Sequence, residues 1–464
     1  MAIALSPFDA DTFVVGGGIS GLACAAHLKR HGQTVRLFER YDYLGGVIRT
    51  LRESGYLLET GPNSLMLRQD DPLCDTLSFL GLDKLAVMAG NTGKKRFILH
   101  RGSPVALPMT LSEGLFTPLL SWKGKIRLAK ELWIPQPEVP PADESVEEFM
   151  LRRFGREVLE TFIDPFVKGI YASSPDRLSL DATFPKLALL EARHGSVLKG
   201  AIAMGLKARA SPHPLTGKIF SFEEGMGALP AALASYLSLD AGTNSEVSGC
   251  AAIDGGFRVS VIFDEDTYYL QARQLVLAGS AARSAEILGD IAPDAVPPLT
   301  EVSYAPIAAV YMGFRRQDIA HPLDGFGLLV PGSEKRKVLG ILFSSSLFPE
   351  RAPAGHVLLT VFAGGMSHPK LAHAFDEDLL EIVQKEVRSI LGTSGPPDFL
   401  RIQRWEEAIP QYTRGHLDRV ERMRNSLPEG LHLAGSYLDG VSVSQSFSSG
   451  IRAAEAVLAH SREK

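Results

Sequence analysis

At 464 residues, with 45% hydrophobic and 22% charged side chains, the chain has ordinary globular composition and length for about two to four domains. Its formal net charge of −5 excludes a generally basic nucleic-acid binder. The three cysteines, Cys24, Cys74 and Cys250, are far apart and odd in number, so they support neither a disulfide framework nor a zinc site and suit a reducing compartment. The leading residues Met1–Phe8 lack the charged start of a secretory signal and the arginines of a transit peptide. No apolar run reaches the roughly 18 residues that would span a bilayer. The expectation is a cytoplasmic protein without a metal, with attachment to a membrane surface left open.

In chain order, Phe13-Val14-Val15 is a short apolar run that predicts the first buried strand of a parallel sheet. It breaks at Gly16-Gly17-Gly18 and passes through Ile19-Ser20-Gly21 into a helix whose Leu22, Ala25, Ala26 and Leu28 recur at helical spacing. In that pattern Gly16 allows a tight turn, Gly18 lets backbone amides approach a pyrophosphate, and Gly21 lets the helix pack closely on the strand. The diphosphate then lies at the positive end of the helix. A second strand, Thr34 to Glu39, ends in a carboxylate placed to accept from both ribose hydroxyls of an adenosine half and to repel a 2′-phosphate. Cys24 reads as small core packing in the first helix. The following Arg40, Gly45-Gly46 and Glu59-Thr60-Gly61-Pro62-Asn63-Ser64 are, taken alone, compatible with ordinary turns. Joined to the glycine fingerprint they resemble the second motif of the glutathione-reductase-like flavoproteins of the amine oxidase branch. That resemblance implies FAD, with Arg40 and the Gly45-Gly46 backbone along the dinucleotide.

From Lys84 to Lys130 cations dominate, including Arg96, Lys123, Lys125 and Lys130, interleaved with Leu115-Phe116, Leu119-Leu120 and Trp122. Such a stretch can dock on an anionic bilayer, steer an acidic substrate, or simply be a solvated helix face. Pro135, Pro137, Pro140 and Pro141 form a stiff connector. Asp143 to Phe149 predicts a capped helix start with acids in its first turn, and helices continue to about Leu206. Strand texture returns from Lys218, with runs at Phe257–Phe263 and Leu275–Ala278. Glu246-Val247-Ser248-Gly249 is placed to return beneath the adenine through backbone contacts. Runs at Ala308–Phe314, Val338–Phe343 and Val357–Phe362, with a helix over Asp376–Leu391, predict a second sheet. Last, Leu431 to Gly435 predicts a strand ending in glycine, followed by Ser436, Val441 and Val443 and by a helix from about Ser448 through Ala459. A helix N-terminus there would stabilise the negative charge of a reduced flavin.

Over nearly its whole length the sequence resembles the oxygen-dependent protoporphyrinogen oxidase family. The likeness is carried by Glu59–Ser64, Phe166–Ala172, Ser221–Gly227, Ser344–Pro353 and Ile409–His416. It implies an α/β (α+β, multi-domain) fold: a Rossmann-like FAD-binding domain assembled from residues 1–83, 216–300 and 406–464, a helical membrane-associating domain over 84–215, and a sheet-containing substrate domain over 301–405. It implies non-covalent FAD held through Gly16, Gly18, Ile19, Ser20, Gly21, Glu39, Arg40, Gly45, Gly46, Gly61, Pro62, Asn63, Ser64, Val247, Trp405, Gly435, Ser436, Val441 and Val443. It further implies that Arg96 pairs a substrate propionate, that the Gly169 carbonyl faces the porphyrinogen N–H groups, and that Leu329, Leu342 and Phe362 sandwich the macrocycle. By pattern alone those last residues read as core leucines, a core phenylalanine and a solvated arginine. The implied reaction is six-electron oxidation of a porphyrinogen with oxygen as acceptor, at a peripheral membrane surface, by a monomer or a homodimer. The lack of a cysteine after Cys250 excludes a C-terminal covalent flavin link. Coproporphyrinogen III is a rival substrate, amine oxidase or carotenoid desaturase a rival chemistry, and a flavin-containing binding protein without turnover a rival class.

Overall fold

The computed structural model describes residues 8–139, 141–207, 213–289 and 291–463; the expectations placed on the first seven residues and on Pro140 fall outside them. The first sheet has seven strands in the order Ala241–Gly242, Val35–Phe38, Ala10–Val15, Asp266–Leu277, Gly256–Phe263 and Glu246–Ile253, with Leu431–Leu433 also pairing Asp266–Leu277. Its centre is parallel: Val15 lies between Phe38 and Leu277, and Leu277 pairs Leu433. Residues from the N-terminal part, the middle and the C-terminal part of the chain therefore share one sheet.

Both faces of this sheet are covered, which explains why its central strands are continuous apolar runs rather than alternating ones. On one side Val14, Val276, Leu22, Leu28, Ala454 and Val457 form a core with the helices Ile19–Arg30 and Val443–Glu463. On the other, Phe13, Val15, Leu275 and Leu277 pack against Ile287, Leu288 and Met423. Cys24 is fully buried in the first of these cores. The two helices meet tightly: a Cβ on Gly450 would lie 2.0 Å from the Ser20 carbonyl, and the Ser20 hydroxyl donates to the Ser446 carbonyl at 2.7 Å.

The terminal helix starts at Val443, earlier than the Ser448 expected. Its serine-rich first turns have weak intrinsic helix propensity, but Ser442 and Gln445 exchange hydrogen bonds: the Gln445 N–H donates to the Ser442 hydroxyl at 3.2 Å, and the Ser442 N–H to Gln445 Oε1 at 3.3 Å. That reciprocal pair is a capping box, readable in Ser442-Val443-Ser444-Gln445.

The second sheet also has seven strands, in the order Phe399–Pro410, Tyr304–Arg315, His356–Gly364, Val338–Leu342, Gly327–Leu329, Phe97–His100 and Ser103–Ala106. One face packs Val310, Met312, Leu359 and Val361 against Leu379, Val383 and Val387 of the helix Asp376–Leu391. The other face packs Ala309, Tyr311 and Leu358 against Tyr56 and Leu58.

Between residues 111 and 207 the chain is mainly helical around Phe149, Met150, Val167, Tyr171 and Leu180. The expected cap is present: Ser145 and Glu148 form a capping box on Val146–Arg153. Beneath it lies an ion pair with no solvent exposure, Arg153 with Glu131. The Glu131 carboxylate also accepts from the Ser196 hydroxyl at 2.6 Å and from the Val197 and Leu198 N–H groups at 2.9 and 3.2 Å. Burial pushes this carboxyl up, but those donors together hold it below the usual carboxylate range. Among the described residues no helix is long and apolar enough to cross a membrane.

Candidate active site

At the end of Ala10–Val15 the chain turns through Gly16, whose φ of +111° is one that side chains rarely adopt. A Cβ on Gly21 would stand 1.9 Å from the Gly16 carbonyl oxygen, so the helix can approach the turn only without a side chain there. Gly18, at the start of the helix, faces open space and supplies no side-chain cap to its first N–H groups. Those donors are free for an anion. Glu39 follows directly after Val35–Phe38 and is buried. Its carboxylate accepts the Gly17 N–H at 2.6 Å and the Tyr41 N–H at 2.9 Å, leaving lone pairs on both oxygens for further donors.

The second glycine pair lies directly against the first. The Gly45 N–H donates to the Gly17 carbonyl at 2.8 Å, and a Cβ on Gly46 would come within 3.2 Å of the Gly18 Cα. Gly45 and Gly46 both have positive φ, at +111° and +60°. Two backbone loops thus form one cradle with almost no side chains. Arg40 is exposed, with its guanidinium 4.8 Å from the Tyr41 ring centre. Val247 is buried, and its carbonyl accepts from Arg283 at 2.8 Å.

The motif Glu59–Ser64 forms the next wall, and its placement rests on an ion pair that sequence reasoning did not single out. Arg351 and Glu59 meet at 2.9 Å, each at most 3% exposed. Arg351 also donates to the Ser221 hydroxyl at 2.6 Å, while Glu59 accepts the Met226 N–H at 2.9 Å and the Thr50 hydroxyl at 2.7 Å. Burial raises the Glu59 carboxyl and lowers the Arg351 guanidinium, each partly offset by the other's charge. This knot joins Glu59–Ser64, Ser221–Gly227 and Ser344–Pro353. An arginine and a glutamate separated by most of the chain give no local signal; the signal available was that all three motifs carry the same family likeness.

The second sheet is tied to the same wall. Trp405 Nε1 donates to the Thr60 carbonyl at 2.7 Å, and the Tyr311 hydroxyl to the Glu59 carbonyl at 2.7 Å. On this face Leu329 pairs Gly340, which pairs Phe362; one row over, Gly327, Leu342 and Thr360 align. Leu329, Leu342 and Phe362 therefore share one face, and Leu329 Cδ2 reaches over Gly340, where a Cβ would lie 3.6 Å from it. Gly169, on the helix Asp164–Tyr171, packs against the same leucine: a Cβ there would lie 2.7 Å from Leu329 Cδ2.

Arg96 precedes the strand Phe97–His100 of the same sheet, and its guanidinium lies 5.4 Å from the Phe326 ring centre. The adjacent Lys95 is paired with Asp324 at 2.5 Å, and elsewhere Lys168 is paired with Asp164 at 3.0 Å and Arg336 with Glu386 at 3.2 Å. Arg96 has no ion pair among the described residues.

The C-terminal segment completes the enclosure. The Gly435 N–H donates to the Ser449 hydroxyl at 3.1 Å, Ser436 opens a short turn, Val441 packs against the helical core, and Val443 begins the long helix.

A glycine cradle at a helix start, a carboxylate beyond the second strand and a C-terminal helix aimed back at the cradle define a dinucleotide-binding flavoprotein. Residues 19–458 match the family described as flavin containing amine oxidoreductase, and the chain belongs to that family. Within it the kinship is with the protoporphyrinogen oxidases. The chain is 34% identical to the mitochondrial protoporphyrinogen oxidase of Nicotiana tabacum, over 96% of this chain and 94% of that one. It is 27% identical to the coproporphyrinogen III oxidase of Bacillus subtilis, over 93% and 94%. A crystal structure from Exiguobacterium sp. 255-15, described as a candidate protoporphyrinogen oxidase, superposes with a TM-score of 0.82 at 28% identity, covering 96% of this chain and 98% of that one.

The family cofactor, FAD, fits what is present: a bare cradle, uncapped helix N–H groups and a carboxylate with lone pairs to spare.

Proposed function

We propose that the protein oxidises protoporphyrinogen IX to protoporphyrin IX, transferring six electrons in three two-electron steps to three molecules of oxygen and releasing three of hydrogen peroxide. The observation that carries this reading is the apolar sheet face shared by Leu329, Leu342 and Phe362, on a sheet whose strand Phe97–His100 is preceded by an arginine with no ion-pair partner among the described residues. A disc-shaped, greasy substrate with carboxylates on one edge matches that combination.

In this reading Gly16, Gly18, Ile19, Ser20, Gly21, Gly45, Gly46, Gly61, Pro62, Asn63, Ser64, Gly435, Ser436, Val441 and Val443 hold FAD largely through backbone. Glu39 holds the ribose, Val247 lies by the adenine, Arg40 lies along the diphosphate edge, and Trp405 stands beside the ring. Bound FAD supplies a hydride acceptor that is reoxidised by oxygen. The protein supplies the rest. The apolar face orients the macrocycle and excludes water, and proximity then replaces a conventional catalytic side chain, because the meso C–H bonds are already weak. Arg96 anchors one propionate, and the Gly169 carbonyl accepts from pyrrole N–H groups. The N-terminus of Val443–Glu463 stabilises negative charge that develops nearby.

Two further parts of the reading concern the surroundings. The exposed side chains Leu115, Phe116 (78% exposed), Trp122 (62%) and Ile126 are linked through Lys125, which donates to the Leu115 and Thr117 carbonyls at 2.7 and 2.9 Å. With Lys123 and Lys130 beside them they suit peripheral docking on an anionic bilayer, at the cytoplasmic side. A homodimer is compatible with this arrangement.

The test is fluorescence-monitored oxidation of protoporphyrinogen and coproporphyrinogen side by side. Protoporphyrinogen should turn over faster, because Lys95, Lys168 and Arg336 are already paired and leave few cations for extra propionates. Faster coproporphyrinogen turnover would overturn the substrate assignment. Arg96→Ala should raise KM roughly tenfold with little change in kcat, since a charge-assisted contact far from the reacting carbon binds ground and transition states alike. An equal fall in kcat would count against its anchoring role.

A further inference from the structure

The segment Ile409–His416 has no part in the chemistry above, yet it touches both sides of the proposed site. Gln411, 1% exposed, donates through Nε2 to the Tyr171 carbonyl at 2.9 Å, at the end of the helix that carries Gly169. The next residue, Tyr412, also 1% exposed, donates its hydroxyl to the Ser436 carbonyl. Four residues on, His416 stacks under the Tyr412 ring with centroids 4.0 Å apart and planes 16° from parallel. His416 Nε2 stands 3.3 Å from the Leu438 carbonyl. A carbonyl can only accept, so Nε2 carries the proton and Nδ1 is the bare nitrogen, which is buried without a partner. The stacked pair therefore fixes two carbonyls of the turn Ser436–Asp439, while Gln411 fixes the substrate helix.

We propose that Tyr412 and His416 are positioning residues: with Gln411 they form a rigid strap that sets the separation between the cofactor-side turn Ser436–Asp439 and the substrate-side helix Asp164–Tyr171. This rests on the reading that Ser436 faces the flavin and Gly169 the substrate. Three further bonds stiffen the strap. The Ser179 N–H donates to the Tyr412 carbonyl, the Gln411 N–H donates to the Ser303 carbonyl, both at 2.9 Å, and Arg419 donates to Thr413 Oγ1 at 2.7 Å. Hydride transfer is steep in distance, so a small displacement of one side relative to the other slows the reaction without weakening substrate binding.

The experiment compares full-length, FAD-loaded protein with Tyr412→Phe, which removes one hydroxyl and keeps the ring stack, and His416→Phe, which keeps the stack and removes the bond to Leu438. Four quantities are read: melting temperature, FAD dissociation constant, visible spectrum of the bound flavin, and anaerobic flavin reduction by protoporphyrinogen at saturation. For Tyr412→Phe we expect a melting temperature within about 3 °C of the unmodified protein. Its flavin spectrum should be altered, and its reduction rate should fall roughly tenfold with KM within about twofold. Wild-type spectrum and rate in both variants would overturn the proposal, as would a rate that falls only in step with lost FAD or lost folded protein. If the unmodified protein reduces no porphyrinogen, the substrate reading fails; the FAD affinity and spectrum of the variants still decide the strap.

Discussion

Gly169→Ala separates folding from function more sharply than any other single change. Gly169 lies inside the helix Asp164–Tyr171, where alanine is favoured over glycine by about 1 kcal/mol. The added methyl would sit 2.7 Å from Leu329 Cδ2, against an ordinary carbon–carbon separation of about 3.5–4.0 Å. Leu329 must withdraw by roughly 1 Å, at a rotamer cost of about 1 kcal/mol. The two terms nearly cancel, so thermal unfolding should move by no more than about 2 °C. The apolar face, in contrast, changes shape where the proposed reading puts the macrocycle, and a 1 Å misplacement costs on the order of 100-fold in rate. Parallel measurement of Tm by calorimetry and of kcat/KM by porphyrin fluorescence decides it. Unchanged kcat/KM would remove Leu329 and Gly169 from the substrate slot; a collapsed Tm would show that the contact is structural.

Three other changes have definite expected outcomes. Gly21→Ala places a Cβ 1.9 Å from the Gly16 carbonyl, forcing helix and turn apart, and should yield protein that remains colourless on addition of FAD; retained flavin would refute the close-packing argument. Glu131→Gln removes the nearer of the two carboxylates that face the buried Arg153, leaving Glu191 at 3.3 Å, and should cost about 3 kcal/mol, read as a lowered urea midpoint; a loss below about 0.5 kcal/mol would refute it. Burial lowers His416 to about 4, so its neutral form is favoured in the folded state. Its contribution to stability is present above the unfolded value of about 6.5 and is lost as pH falls from there toward 4. At pH 5 the loss is about 2 kcal/mol, and His416→Phe should flatten that part of the urea-midpoint profile.

Much of the cofactor side is legible in local sequence, because the constraints are local: the turn at Gly16, the close approach at Gly21 and the carboxylate of Glu39 all act within one strand–helix–strand unit. The substrate side is less so. Nothing near Arg96 distinguishes it from Lys95; the difference is made by Asp324, which reaches Lys95 from a distant part of the chain. Leu329, Leu342 and Phe362 look like any buried strand residues, and only the register of three strands puts them around Gly340. The same holds for Glu131 and Arg153, which are fully buried against each other with no local pattern to mark the pair. The missed start of the last helix has a different origin: the capping box at Ser442 and Gln445 was present as a pattern, but serine-rich turns have low propensity and mask it.

The threading of the first sheet has a consequence for biogenesis. Leu431–Leu433 closes the sheet beside Asp266–Leu277, and Val443–Glu463 lies along the first helix, so residues made first must wait for those made last. During synthesis at about 5–20 residues per second, the early strand–turn–helix unit stands for tens of seconds without its neighbours. Flavin capture is then a late event in the life of a new chain, and nascent polypeptides arrested before residue 431 should carry none.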